Sequence, residues 1–359
     1  MKEHHIPFRD NVGGYGIVAR IEGKNPEKST VALRADMDAL NITEATGLPF
    51  SSQNPGVMHA CGHDFHTANL LGTAFILNQL KTHFEGAVML IFQPSEEKIP
   101  SGALQMLEAG IFEEHPPHAI FALHVDPGIE TGKIGVRSGV FLAAADELFI
   151  TIHGKGGHGA YPYKCVDPVV IAAQTILSLQ TIVSRNVDPL HPAVVSIGRI
   201  EGLGNTNIIP DEVTMSGTIR TFHNAWRETI HRRITDLIHH TAQSFGGNAT
   251  MEIRKGYPPV VNDAALTQHS IKALETFFGK ENIEDSAMRM GADDFAFFAQ
   301  EIPATYFRLG VRPKNTQNIA LLHQATFSPD EDAFEMGMMA MSYLAVSGLA
   351  MAYNKSHHL

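Results

Sequence analysis

Short apolar runs alternate with helical patterns through the first part of the chain. Residues 31–35, 87–92 and 119–123 are apolar stretches of strand length, the pattern of strands buried on both faces. Between the first two, residues 66–80 place Leu70, Leu71, Ala74, Phe75 and Leu77 on one side of a helix. Strands alternating with helices predict an α/β layer whose sheet is mostly parallel and flanked by helices. The middle of the chain changes pattern. A strand at 147–153 leads to Asp167-Pro168, an N-cap followed by a proline suited to the first helical position, and a helix to about Arg185. Strands at 193–200 and 212–221 follow. Asn224 then caps a second helix with Ile230, Ile234, Leu237 and Ile238 on one face, and a strand at 250–254 closes the set. The order β-α-β-β-α-β is that of ferredoxin-like α+β domains. Residues 146–255 therefore read as a domain inserted into a first one made of 1–145 and 256–359. The α/β pattern resumes after Gly256-Tyr257-Pro258-Pro259 with a strand at 304–309 and a terminal helix. That last segment, 336–353, carries no charge and has the length of a membrane span. Gly337, Ser342, Ser347, Gly348 and several alanines dilute it, so it reads as a buried helix, and no membrane partner is expected.

Composition narrows the function. Acidic residues number 38 against 27 basic ones, a formal charge of −11 that leaves no basic stripe for a nucleic-acid partner. The 359 residues contain two cysteines, Cys61 and Cys165, too few for a disulfide framework. The start, MKEHHIPFRD, is polar and lacks the apolar stretch of a secretory signal. Both observations suggest a reducing, cytoplasmic location. Histidine stands out at 20 residues, several beside Asp, Glu or Cys.

The chemistry concentrates where strands end. His59-Ala60-Cys61-Gly62-His63-Asp64-Phe65-His66 gathers metal-capable side chains just ahead of a helix. Cys61 and His63, two apart, would be presented by a loop and suit Zn²⁺, Mn²⁺, Ni²⁺ or Co²⁺. The plainer alternative is a helix start capped by Asp64 with solvated histidines. The run at 87–92 leads into Gln93-Pro94-Ser95-Glu96-Glu97, at the carboxyl end of a buried strand, where open α/β sheets gather ligands. Of two adjacent carboxylates held by cations, one could ligate and the other act as general base; otherwise they cap the next helix. The run at 119–123 leads likewise into His124-Val125-Asp126. Asp36 and Asp38, after the first strand, could orient a ligating histidine from behind. His323, in Leu322-His323-Gln324-Ala325, is either a ligand brought in by the fold or an ordinary loop histidine. No His-Glu-x-x-His pair and no phosphate-binding P-loop are present, and Cys165 reads as a plain thiol.

HACGHDFH, QPSEE, the His124 strand end, GKGGHGAYP, GNTNIIP, GTIRTF and GADDFAFF together resemble the dinuclear-metal amidohydrolases of the aminoacylase/carboxypeptidase G superfamily. The similarity is greatest to its branch of hippurate, N-acyl-amino-acid, indole-acetyl-amino-acid and N-acetyl-diaminopimelate hydrolases. The resemblance implies a catalytic α/β domain carrying an inserted lid and dimerisation domain, and two divalent metal ions (Zn, Mn, Co or Ni). It implies Cys61, His63, Glu97, His124 and His323 as ligands and Glu96 as general base. It implies His158 as a group offered to the active site across a homodimer interface, and Asn207 and Arg220 as substrate contacts. Arg220 also makes independent sense, because guanidinium grips the carboxylate of a free amino acid bidentately. The implied reaction is hydrolysis of an N-acyl-amino acid to a carboxylate and an amino acid. The alternatives are a dipeptidase or carboxypeptidase with the same metals, or a silent relative that only binds such conjugates. Tyr163 stands where the family commonly has a second histidine, and Ser101 replaces a usual glycine, an exchange expected to be harmless. The family also carries a helix ahead of the segment matching Arg9-Asp10-Asn11-Val12; without that packing element, apolar surface is expected to be exposed.

Overall fold

The computed structural model describes residues 1–316 and 319–351. The chain forms two compact units, one of residues 1–141, 260–287 and 294–359 and the other of 142–259 and 288–293.

The first unit is built on an eight-stranded sheet. Its order is Phe8–Val12, Gly16–Glu22, Ala87–Gln93, Thr30–Asp36, Ala119–Glu130, Ala304–Arg312, Ile134–Val136 and Ile283–Asp285. The Ala87, Thr30, Ala119 and Ala304 strands run parallel at its centre. Their residues are buried on both faces, which is why they appear in the sequence as apolar runs without alternation. The His63–Leu80 and Ala333–Leu349 helices pack on one face and bury Leu70, Leu77, Met341 and Leu344 against Val31, Leu33 and Phe121. Burying each such side chain stabilises the fold by about 1.5–3 kcal/mol before ordering costs. The terminal helix starts earlier than the charge-free run and ends at Leu349; positions 352–353 lie outside the described residues. No helix among the described residues is long and apolar enough to cross a membrane.

The second unit has a four-stranded antiparallel sheet in the order Ala193–Glu201, Glu212–Thr221, Ala144–His153, Asn248–Lys255. The first and third strands in the chain are central, the ferredoxin-like arrangement. Its helices, Pro168–Thr181 and Asn224–Ser244, bury Ile171, Leu179, Ile230, Ile234 and Ile238 against Leu148, Ile150 and Ile152. Asp167 caps the first, its Oδ1 accepting from Val169 N at 2.9 Å and Val170 N at 3.4 Å. That helix widens into a π turn over Ile182–Asn186. The second helix corrects an expectation: Asn224 is its first residue, and the N-cap is His223, which makes no side-chain capping bond. Behind the sheet the Asp146 carboxylate takes hydrogen bonds from the Arg227 guanidinium, His231 Nε2 and the Gly256 N–H. These partners outweigh burial, which by itself would raise its pKa, and bring it down to about 2.

Candidate metal centre

Unequal strand lengths create the site. The Thr30–Asp36 strand pairs with the Ala119–Glu130 strand only as far as Arg34 beside Ala122. The Ala119 strand runs on to Glu130, held on its other side by Ala304–Arg312. His124 therefore lies within a strand rather than after its end, as the sequence had suggested, on the part that outruns its neighbour. Asp36 closes the shorter strand. The Ala87–Gln93 strand stops nearby, and the chain turns through Ser95, at φ 54°, to present Glu96 and Glu97. The next helix begins only at Gly102, so the acidic pair does not cap it.

Cys61 and His63 flank Gly62, whose φ of 82° suits glycine; a Cβ there would meet Val125 Cγ2 at 2.6 Å. Cys61 precedes the helix, whereas His63 is its first residue. Asp64 is not the cap; its Oδ1 accepts only from the adjacent Phe65 N. His323 also has a left-handed backbone, φ 65°, and its N–H donates to Ala60 O at 2.8 Å. A non-glycine residue held there points to a position fixed by its surroundings.

These segments bring together side chains that the sequence scatters. Ligand atoms of Cys61, His63 and His124 lie within 4.8 Å of one another, as do those of Cys61, Glu97 and His323, and those of His63, Glu96 and Glu97. Cys61 Sγ is 3.5 Å from His124 Nε2, and His323 Nε2 is 3.2 Å from Glu97 Oε1. His124 Nδ1 donates to Val125 O at 2.8 Å, which leaves its Nε2 lone pair facing the thiol. His63 Nδ1 faces Asp38 O and Oδ1 at 3.0 and 3.2 Å, while its buried Nε2 has no hydrogen-bond partner. Glu97 Oε1 is likewise buried and unbonded, its approach to His323 being poorly aligned. A thiol, three imidazoles and carboxylates converging in this way, with His63 Nε2 and Glu97 Oε1 buried and unbonded, suit a pair of divalent cations.

Asp38 and Asp36 support this set in different ways. Asp38 accepts the Glu96 N–H at 3.0 Å and the Glu97 N–H at 2.9 Å, so one carboxylate sets both glutamates and His63. Asp36 is fully buried. His66 Nδ1 donates to its Oδ1 at 2.5 Å, and His66 Nε2 accepts from Val125 N. Both nitrogens of His66 are thus engaged, which removes it as a ligand despite its place in the motif. Arg34 donates to Asp36 Oδ2 at 2.6 Å, Gln93 Oε1 at 2.8 Å and Asp294 Oδ1 at 2.9 Å, all buried. Asp294 also accepts from Gln93 Nε2 and from Ser101 Oγ at 2.6 Å. Ser101, expected to be an inconsequential exchange, is buried, bonds this carboxylate and caps the Gly102–Glu108 helix.

Electrostatics mark the surplus of anions. Burial pushes the Cys61 thiol well up, and Glu97, Glu96 and Asp36 add to it. Burial opposes protonation of His63, yet Asp36, Asp38 and Glu97 prevail and raise it to about 9. His124 is held well below the usual histidine range by burial and by the adjacent Arg308. A cation among these groups would replace the protons.

His158, Asn207 and Arg220 belong to the second unit. His158 and Asn207 are exposed and adjacent there: Gly159 N donates to Asn207 O at 2.8 Å, and Ala160 N donates to His158 Nδ1. Arg220 is half-buried on the Glu212–Thr221 strand, with Nε on Thr218 Oγ1 at 3.1 Å, and burial lowers its pKa. Sequence reasoning missed Arg34, Gln93, Asp294 and Arg308. An arginine inside an apolar strand, as in VALRAD and ATYFRLG, is the signal that would have found two of them.

The profile of peptidase family M20/M25/M40 matches residues 32–347. N-acetyldiaminopimelate deacetylase of Enterococcus faecalis is 40% identical over 328 residues, 91% of this chain and 84% of that protein. Thermostable carboxypeptidase 1 of Saccharolobus solfataricus is 38% identical over 336 residues, 92% and 83% of the two chains. Among solved structures, a dinuclear metal-binding peptidase from Bacillus subtilis superposes with a TM-score of 0.81 at 34% identity, covering 97% of this chain and 89% of that one.

Proposed function

Since the chain belongs to peptidase family M20/M25/M40, we propose that it is a metal-dependent amidohydrolase that cleaves N-acyl-amino acids into a carboxylate and a free amino acid. The observation that carries this reading is the convergence of Cys61, His63, Glu97, His124 and His323 on overlapping donor clusters that also include Glu96. Two divalent cations held there would supply Lewis acidity and an activated water. Glu96, buried and set by Asp38 through its backbone N–H, takes the proton of the attacking water and returns it to the leaving amine. Asp38 and Asp36 keep the histidines and glutamates in register. In this reading the second unit is a lid and dimerisation domain: His158, from a second copy of the chain, donates to the carbonyl oxygen as charge develops on it. Arg220 grips the substrate carboxylate and Asn207 orients the amide. A homodimer and a cytoplasmic location complete the proposal, the latter supported by two free cysteines.

The named carboxypeptidase relative supports a second reading, peptide-bond hydrolysis at the same centre. Metal analysis combined with a hydrolysis screen over acetyl, benzoyl and indole-acetyl amino acids, with dipeptides alongside, tests both. Turnover of the N-acyl set by protein carrying about two cations per chain is expected. Preference for dipeptides selects the second reading. A metal-loaded protein that cleaves neither set sinks both.

A further inference from the structure

Arg308 lies beside the ligand cluster with nothing assigned to it. It pairs with His124 across the parallel Ala119–Glu130 and Ala304–Arg312 strands, so both side chains stand on the same face of the sheet. Only 6% of its surface is exposed. Its guanidinium carbon lies 5.2 Å from the Tyr306 ring and 5.9 Å from the Phe141 ring, and its Nε is buried without a hydrogen-bond partner. Among the described residues no carboxylate forms an ion pair with it. Arg34, two strands away in the same sheet and level with Tyr306 rather than Arg308, shows what a structural arginine looks like here, with all three nitrogens engaged by Gln93, Asp36 and Asp294.

Dehydrating a guanidinium is expensive, and contacts with ring faces return only part of that. A permanent cation largely buried and unpaired beside metal-ligating groups has the character of half an ion pair. The guanidinium fork matches a carboxylate in shape and charge. We propose that Arg308 is a carboxylate-binding residue of the substrate site. The inference rests on the reading of the cluster as a catalytic site for N-acyl-amino acids. Such a substrate can offer its α-carboxylate or an acid group carried on the acyl chain.

The test uses full-length, zinc-loaded protein with Glu96→Gln, so that ligands are not consumed, with and without Arg308→Met. Calorimetric titration compares N-acetyl-L-leucine (one carboxylate), N-succinyl-L-leucine (two) and N-acetyl-L-leucinamide (none). Arg308→Met is expected to weaken at least one acid by roughly 10- to 100-fold while leaving the amide unchanged. Arg308→Lys, which keeps the charge without the fork, should fall between. A loss shared by both acids identifies the α-carboxylate; a loss confined to the succinyl compound identifies the acyl acid. Unchanged acid affinities, an equal loss for the amide, or no binding at all overturns the proposal. Metal content and Tm of each variant separate a binding defect from a folding defect. Turnover by protein with Glu96 intact is read separately: acid binding that depends on Arg308 without hydrolysis would remove the proposed reaction and leave the carboxylate site standing.

Discussion

Asp38 accepts the backbone N–H groups of both Glu96 and Glu97 and faces Nδ1 of His63, so one carboxylate sets the proposed general base and two proposed ligands. Removing it as Asp38→Ala should lower metal affinity roughly 10- to 100-fold, read by competition with a chromophoric chelator. Glu96→Gln is different in kind. It should keep the cations and lower kcat by roughly 10²- to 10⁴-fold, because only the proton transfer is lost. Metal content measured beside kcat distinguishes the two, and near-normal turnover would remove Glu96 from its role. At this scale the residue types were legible early: Glu96 and Glu97 follow a buried strand, His124 follows an apolar run, and Cys61 and His63 stand together ahead of a helical pattern. The roles were less so. His66 is as metal-capable as His63 in the motif, and only its bonds to Asp36 and Val125 N show that both its nitrogens are occupied.

At the scale of elements, the junction into the His63–Leu80 helix carries much of the site. Gly62 bends there in a left-handed conformation against Val125, which neighbours His124. Gly62→Ala should destabilise the protein by about 1–3 kcal/mol in urea unfolding. It should also weaken metal binding, since Cys61 and His63 sit on either side. A substitution that leaves both unchanged would show that the turn is more tolerant than its 2.6 Å Cβ approach indicates. Strand interiors were readable because buried parallel strands demand continuous apolar side chains. Their ends were not. The Ala119–Glu130 strand outlasts its apolar run because the Ala304–Arg312 strand continues to pair with it, a partner nearly two hundred residues away. The Asn224–Ser244 helix is capped one residue earlier than expected, by His223, although asparagine is the better capping residue, because propensity alone does not fix where a helix begins.

For the whole molecule, cations and acidity are the two levers. A chelator should lower the Tm of metal-loaded protein, because bound ligand stabilises only the folded state; at 100 times the dissociation constant the effect is about 2.7 kcal/mol. An unchanged Tm after complete removal would argue against a centre coupled to folding. Acid acts through Asp146 in the second unit. Its pKa is about 2 when folded against an ordinary 3.8, so its stabilisation is fully present above the higher value and fades as pH falls from about 4 to 2. The loss is about 2 kcal/mol, and Asp146→Asn should lack this pH-dependent part in circular-dichroism titrations. The sequence alone determined the alternation of buried strands and helices, the change of pattern between about residues 146 and 255, and the kinds of side chain able to hold metal. These are local properties, written in the periodicity of apolar residues and in the chemistry of individual side chains. Tertiary structure decided which of them meet. His323 reaches Glu97, Arg34 is absorbed by Asp36 and Asp294, and Arg308 is left largely buried beside His124, through strand pairing and packing over long separations that no single stretch of sequence contains.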